Sequence, residues 1–407
     1  DRSRGLGDVY KRQAKEEAIE TILELGKLKE EGTIKKIIIT GCLSERYRQE
    51  AAELFPEADA VIGIGNQEDI IDVIDHVLAN ERVVSFEKKE KLPVTGGRII
   101  STLPFFAYLK IAEGCDNCCS YCAIPKIRGR FRSVPMEDVI KEAEWLAENG
   151  VTELIVIAQD TTRYGEDLYG ASKLPELLEM LCGINGFKWI RVLYCYPERI
   201  TDKLLDVIAK QPKIVKYLDI PIQHCSGEVL KNMNRCGDQA QLKALITKIR
   251  DKVPKIVLRT TLITGFPGET EEQFNELAEF VKIIEFDRLG CFPYSQEDGT
   301  VAGKMDNQVD DDIKAHRADI IMEQQQLIHR RKNEACMGKT FEAVVEGFDK
   351  WAECYFGRTE SDAPDIDGKV FFAGTDKLRV GQYVNIRITD TLDYDLIGEV
   401  ITDESAE

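Results

Sequence analysis

The sequence predicts an α/β protein built around a partial parallel (β/α)6 barrel, with a shorter α/β domain before it and a small antiparallel β-barrel after it. Three observations carry this. Between residues 104 and 302, short apolar runs alternate with helical periodicity six times, the pattern of parallel strands joined by helical crossovers. A shorter alternation, αβαβα, precedes residue 81. After Gly338 the texture changes to five short runs rich in Val, Ile, Phe and Tyr, separated by turns such as IDG and RVGQ.

Taken in order, residues 1–13 (DRSRGLGDVYKRQ) show no period, begin without Met, and read as a truncated or foreign N-terminal segment. From Ala14 a helical stripe carries Ala18, Ile19, Ile22, Leu23 and Leu25. KKIIIT is a short strand, and TGCLSERYRQEAAELF turns into a helix with Ser44 as candidate cap. DAVIGIG and NQEDIIDVIDHVLAN add a strand and a helix, completing an α/β domain over 14–81. Residues 82–100 mix charge, Pro and Gly and read as a linker. Barrel strands are expected at 106–112, 153–158, 189–195, 215–220, 255–263 and 288–294, within a domain spanning 101–336. Its last helix opens on Asp310, Asp311 and Asp312, acids suited to a helix N-terminus. Residues 337–407 form the small barrel. In a parallel β/α barrel the chemistry sits at the C-terminal ends of the strands.

Composition narrows the class. No run in the 407 residues approaches the ~18 apolar residues that span a bilayer, so no membrane partner is expected and a cytoplasmic location fits. The twelve cysteines are clustered rather than evenly spaced, which in a reducing compartment favours metal binding over disulfides. A net charge of −18 should repel bare phosphate backbone and attract a basic partner.

The chemistry concentrates in IAEGCDNCCSYC, which holds Cys115, Cys118, Cys119 and Cys122 just past the first barrel strand. All four could bind zinc, although adjacent Cys118 and Cys119 would have to enter one tetrahedron. Alternatively Cys115, Cys119 and Cys122 hold a 4Fe–4S cluster with one iron open to a ligand, and Cys118 is a bystander.

The spacing C-x3-C-x-aromatic-C, with Tyr121 as the aromatic, resembles the radical S-adenosylmethionine (SAM) superfamily. KIAEGCDNCCSYCAIPKIRGRFRS resembles its methylthiotransferases, as do LDIPIQHCSGEVLKNMNR, LRTTLITGFPGET and FDRLGCFPYSQEDGT. VIAQDTTRYG together with GRTESDAPDIDG resembles the branch that modifies an aspartate of ribosomal protein S twelve. The resemblance runs from about residue 14 to 402 in the family's domain order. It implies an enzyme that uses one SAM as methyl donor and another as the source of a 5′-deoxyadenosyl radical, replacing a C–H on the aspartate β-carbon with S–CH3. It also implies an electron-donor protein. Cofactor contacts carried over are Tyr121, Gln159, Asp160, Gln223, Arg259, Thr264, Phe292 and Tyr294, with Arg259 facing a carboxylate of SAM or substrate. The basic loop at Lys126, Arg128, Arg130 and Arg132 is either solvated or steadies a carboxylate.

The family carries a second 4Fe–4S cluster on three further cysteines, of which only Cys42 has a match; the other two would precede residue 14. Cys118 stands where the family has a non-cysteine. One branch of the family acts on tRNA, and both branches end in a TRAM domain, the small barrel. Residues 337–407 contain seven Lys/Arg and sixteen Asp/Glu, a balance of −9, which disfavours tRNA and suits a basic ribosomal protein. Two other classes stay open: a zinc-stabilised binding module without catalysis, and a radical SAM enzyme that cleaves SAM without inserting sulfur.

Overall fold

The computed structural model describes residues 12–88, 98–374 and 377–401. The atypical N-terminal residues through 11 and the linker centre at 89–97 lie outside the described residues. Two compact units result. Among described residues the first holds everything up to 88 with 113–132 and 295–304; the second holds 98–112, 133–294 and the chain from 305.

In the first unit, three parallel strands lie in chain order, β1 (Ile38–Ile39), β2 (Ala60–Ile62) and β3 (Val83–Ser85). Both faces of β2 are buried, so AVI is continuously apolar rather than alternating. Val61 packs with Ile22, Ile37, Ala51 and Phe55; Ala60 and Ile62 pack with Val73 and Val77 from the helix Ile70–Leu78. Two sequence expectations need correction. Val83–Ser85, expected to open the linker, pairs with β2 instead. Ser44 is not the cap of helix Cys42–Leu54: Gly41 is, and the buried Ser44 hydroxyl donates to the Gly41 and Ile62 carbonyls. Residues 295–304 are fastened in this unit by Arg46 to Glu297 at 2.7 Å and by Ala302 N–H to the Ser120 carbonyl.

The second unit contains six parallel strands in chain order: β4 (Phe106–Lys110), β5 (Glu153–Ile157), β6 (Trp189–Val192), β7 (Ile214–Asp219), β8 (Val257–Thr264) and β9 (Arg288–Pro293). Three of the crossover helices begin on polar caps: Thr201 accepts from Leu204 N–H, Asp238 from Gln241 N–H, and Thr270 with Gln273 forms a reciprocal capping box. Asp310 caps the long helix Asp311–Glu334.

The C-terminal residues close a five-stranded barrel from β10 (Thr340–Asp349), β11 (Cys354–Thr359), β12 (Val370–Ala373), β13 (Tyr383–Leu392) and β14 (Asp395–Val400). The barrel is not wholly antiparallel as expected, since β12 and β14 pair in parallel.

Strand alternation sorts the sheet of the second unit into two faces. Leu109, Leu154, Val156, Ile190, Leu218 and Leu258 are fully buried on one. On the other, Phe106, Ile155, Val215 and Tyr217 pack with Val344 and Ala363 of the C-terminal barrel. That second face also carries Glu153, Arg191, Arg259 and Arg288, which meet the 358–367 segment, and Asp219, which pairs with Arg259. Among the described residues no helix is long and apolar enough to cross a membrane.

Candidate active site

The cysteine loop belongs to the first unit. Gly114 sets its path: φ is +79°, and a Cβ there would lie 2.2 Å from the Arg130 carbonyl oxygen, so only glycine fits. Next to it, Cys115 N–H donates to the Gly129 carbonyl and Phe131 N–H to the Asp116 carboxylate, closing the loop on itself. Cys115 and Cys119 are buried and Cys122 half-buried, while Cys118, at φ +51°, is exposed. Asn117 N–H points at the Cys115 sulfur (3.5 Å) and Ile124 N–H at the Cys122 sulfur (3.4 Å). Backbone donors aimed at sulfur stabilise thiolate ligands and tune a cluster.

Burial pushes the Cys122 thiol up to about 12, and its cysteine neighbours add to the effect. A thiolate there needs a cation beside it, which a bound metal would supply. A single zinc ion would need its sulfurs gathered at about 2.3 Å from one point. Among the described residues no three Cys, His, Asp or Glu side chains are grouped to hold one ion.

Cys42 opens the helix that follows β1, and its sulfur accepts from Arg128 Nη2 at 3.4 Å. Arg128 also faces buried Glu113 at 3.7 Å. The amine of Lys126 meets the Gly299 carbonyl. The basic loop is thus engaged with protein groups at Lys126 and Arg128, and it joins Cys42 to the cysteine loop within one unit. Tyr121 is half-buried in that loop.

In the second unit the expected cofactor contacts lie at strand ends, and the structure distinguishes among them. Gln159 is half-buried past β5. Asp160 is fully buried; its carboxylate accepts from Thr162 N–H and hydroxyl and faces Arg199 at 3.8 Å, so it caps the turn. Thr264 is buried with its hydroxyl donating to the Lys314 carbonyl. Following it, Gly265 (φ +68°) leaves room for the Lys314 side chain, which a Cβ would meet at 2.1 Å. Glu269 accepts from Gly265 N–H and pairs with Arg317 at 2.7 Å, and His224 Nε2 lies 3.5 Å from its carboxylate. The ITGFPGE turn is thus built by its own contacts. Arg259, expected at a carboxylate of SAM or substrate, is instead held by Asp219 at 3.0 Å and Asp367 at 3.7 Å. Tyr294 is buried edge-on against Phe266, and Phe292 is half-buried on β9.

Gln223 is the most distinctive of the set. Its φ is +69°, and His224 N–H bonds to the Ile222 carbonyl across it, a tight turn of the rarer hand. Gln223 N–H donates to the Thr261 carbonyl and its own carbonyl accepts from Ile263 N–H, fixing the turn beside β8. Sequence reasoning missed a second strained tip, Tyr194 (φ +60°), just past β6. Its N–H donates to the second oxygen of the Asp219 carboxylate (3.1 Å), and its carbonyl accepts from Thr161 N–H. Asp219 therefore ties Tyr194 to Arg259. The only sequence signal was an acid closing an apolar strand.

The chain matches the radical SAM superfamily over residues 109–281, the TRAM domain over 337–401 and "Uncharacterized protein family UPF0004" over 9–63. It is 49% identical over 386 residues to the ribosomal protein uS12 methylthiotransferase RimO of Lachnoclostridium phytofermentans, covering 95% of this chain and 88% of that protein. With the protein of the same name from Clostridioides difficile it shares 47% over 393 residues, covering 95% and 87%. In structure it resembles the radical SAM methyltransferase TsrM of Kitasatospora setae, with a TM-score of 0.52 at 14% identity, covering 68% of this chain and 58% of that one; this likeness concerns fold alone. The cysteine loop, the six-stranded sheet and near-full-length identity converge: the chain belongs to the ribosomal protein uS12 methylthiotransferases of the radical SAM superfamily.

Proposed function

We propose that the chain adds a methylthio group to the β-carbon of an aspartate in ribosomal protein uS12. The observation that carries this reading is the cysteine loop, where backbone N–H groups face the Cys115 and Cys122 sulfurs and Cys118 turns outward. Cys115, Cys119 and Cys122 hold a 4Fe–4S cluster, and Cys42 is a ligand of the second cluster. With SAM bound, the cluster would supply the electron for reductive C–S cleavage of SAM, giving radical chemistry at an unactivated C–H that no side-chain base could deprotonate. Gln159, Gln223, Phe292 and Tyr294 contact SAM, with Tyr121 beside the cluster loop. Asp160, Thr264 and Arg259, committed to internal partners, shape the strand ends that present those contacts. The reductant comes from an electron-donor protein. The C-terminal balance of seven bases to sixteen acids favours a basic protein over tRNA as substrate.

Anaerobic reconstitution with iron and sulfide, followed by an assay for 5′-deoxyadenosine from SAM under reductant, tests this. Product with about four irons per chain supports the three-cysteine cluster, and about eight would overturn the reading that Cys42 alone matches the second cluster's ligands. Zinc uptake without iron or product would replace the reading with the binding module.

A further inference from the structure

Trp351 stands at the tip of the β10–β11 hairpin and is 98% exposed. A large indole left in water forgoes about 1.5–3 kcal/mol of burial, so an exposed tryptophan calls for a partner more than an exposed leucine does. The tip beneath it is pre-organised. The Asp349 carboxylate accepts from Trp351 N–H at 2.8 Å and from Ala352 N–H at 3.0 Å, and Glu353 turns the chain back at φ +50°. Phe348, 48% exposed, lies edge-on to Tyr355 at 4.9 Å, and Tyr355 stacks on buried Phe372. An aromatic ridge therefore runs from the barrel core to Phe348, three positions before the indole.

Its chemistry selects a partner. Asp349 and Glu353 flank the indole against one base, Lys350, in a barrel segment already carrying nine excess acids. Aromatic faces next to carboxylates attract guanidinium and ammonium groups through cation–π and charge contacts together. A nucleic acid could stack a base on the indole, but the same carboxylates would repel its phosphates.

We propose that this hairpin tip docks a Lys/Arg-bearing segment of the protein substrate, with Trp351 as the anchor. The inference rests on the protein-substrate reading above and adds to it the surface that recognises the substrate.

The test measures binding of fluorescently labelled, purified uS12 to the full chain and to its Trp351→Ala and Trp351→Phe variants. A tryptophan anchor predicts about tenfold or greater weakening in Trp351→Ala and recovery of most affinity in Trp351→Phe. The indole packs on almost nothing, so the thermal unfolding midpoint of Trp351→Ala should match that of the unsubstituted chain. Equal uS12 affinity in all three chains would overturn the inference and leave the proposed function standing. Loss of tRNA binding in Trp351→Ala, with uS12 binding unchanged, would overturn it in favour of a nucleic-acid contact. If the unsubstituted chain does not bind uS12, the protein-substrate reading itself fails.

Discussion

Replacing Glu153 by Gln should destabilise the second unit by about 3–5 kcal/mol, the usual consequence of removing one partner from a buried ion pair. Glu153 opens β5 with no exposed side-chain surface. Arg191 donates to it through Nε and Nη2 at 3.2 and 3.1 Å, and Arg358 through Nη2 at 2.6 Å. Arg358 would keep Glu346 at 2.6 Å, whereas among the described residues Arg191 has no second carboxylate within ion-pair distance. A buried guanidinium would then face a neutral amide. Burial alone would push Glu153 up, but Arg358 and Arg191 outweigh it and hold the carboxyl below its ordinary value. Its stabilisation is therefore complete at neutral pH and is lost as pH falls through the lowered folded value. Urea unfolding followed by tryptophan fluorescence reads the change, because buried Trp189 touches Tyr383 of the C-terminal barrel edge-on at 4.9 Å. A loss below about 1 kcal/mol would refute the reasoning, since that is the size of a solvent-screened pair. Changing Glu153, Arg191 and Arg358 to Met together with Glu346 to Gln should recover most of the stability, because none of these four charges is then left buried and unpaired.

Two further outcomes follow from the geometry. Cys119→Ala should abolish 5′-deoxyadenosine formation while Cys118→Ala, at an exposed position, keeps most of it; equal losses would overturn the ligand assignment. Burial, with Arg288 nearby, lowers His329 to about 4, and the neutral ring donates to the Tyr394 carbonyl at 3.1 Å. The unfolded chain binds that proton first, so stability should fall between about pH 6.5 and 4, by on the order of 3 kcal/mol. His329→Gln should flatten this limb of the pH–stability curve, and an unchanged slope would show that other groups set it.

The central strands were legible because β5, β6 and β7 are buried on both faces and bounded by polar turns, so ELIVI or VKYLDI stands out locally. The linker boundary misled because RVVS precedes the charged run EKKEK, and composition weighed more than three β-branched or small residues that pair with β2. The radical SAM superfamily was legible because its cysteine spacing is a short-range property of one loop. Arg259 was not, because its partners Asp219 and Asp367 lie 40 and 108 positions away, and only the folded register brings them together. For Asp160 the sequence offered either a SAM contact or a loop cap, and its carboxylate accepts twice from Thr162 in the folded turn.

The strand ends also explain why so much charge is buried there. A residue other than glycine at positive φ costs on the order of 1–3 kcal/mol and persists only where its surroundings over-determine it. Tyr194 and Gln223 are two such residues, at the ends of neighbouring strands. Gln223 is clamped on both sides by β8 through Thr261 and Ile263. Tyr194 is clamped by Asp219, and Asp219 is fixed in turn by Arg259. Arg259 also faces Asp367, which accepts from the Tyr217 hydroxyl at 2.7 Å and from Ala363 N–H at 2.9 Å. One guanidinium between two carboxylates has no net charge left to draw in a third. Arg259 is therefore better suited to holding the strained tips in place than to capturing the carboxylate of SAM. The same chain of bonds makes the DAPDID segment of the C-terminal barrel part of the support for the strained strand end at Tyr194.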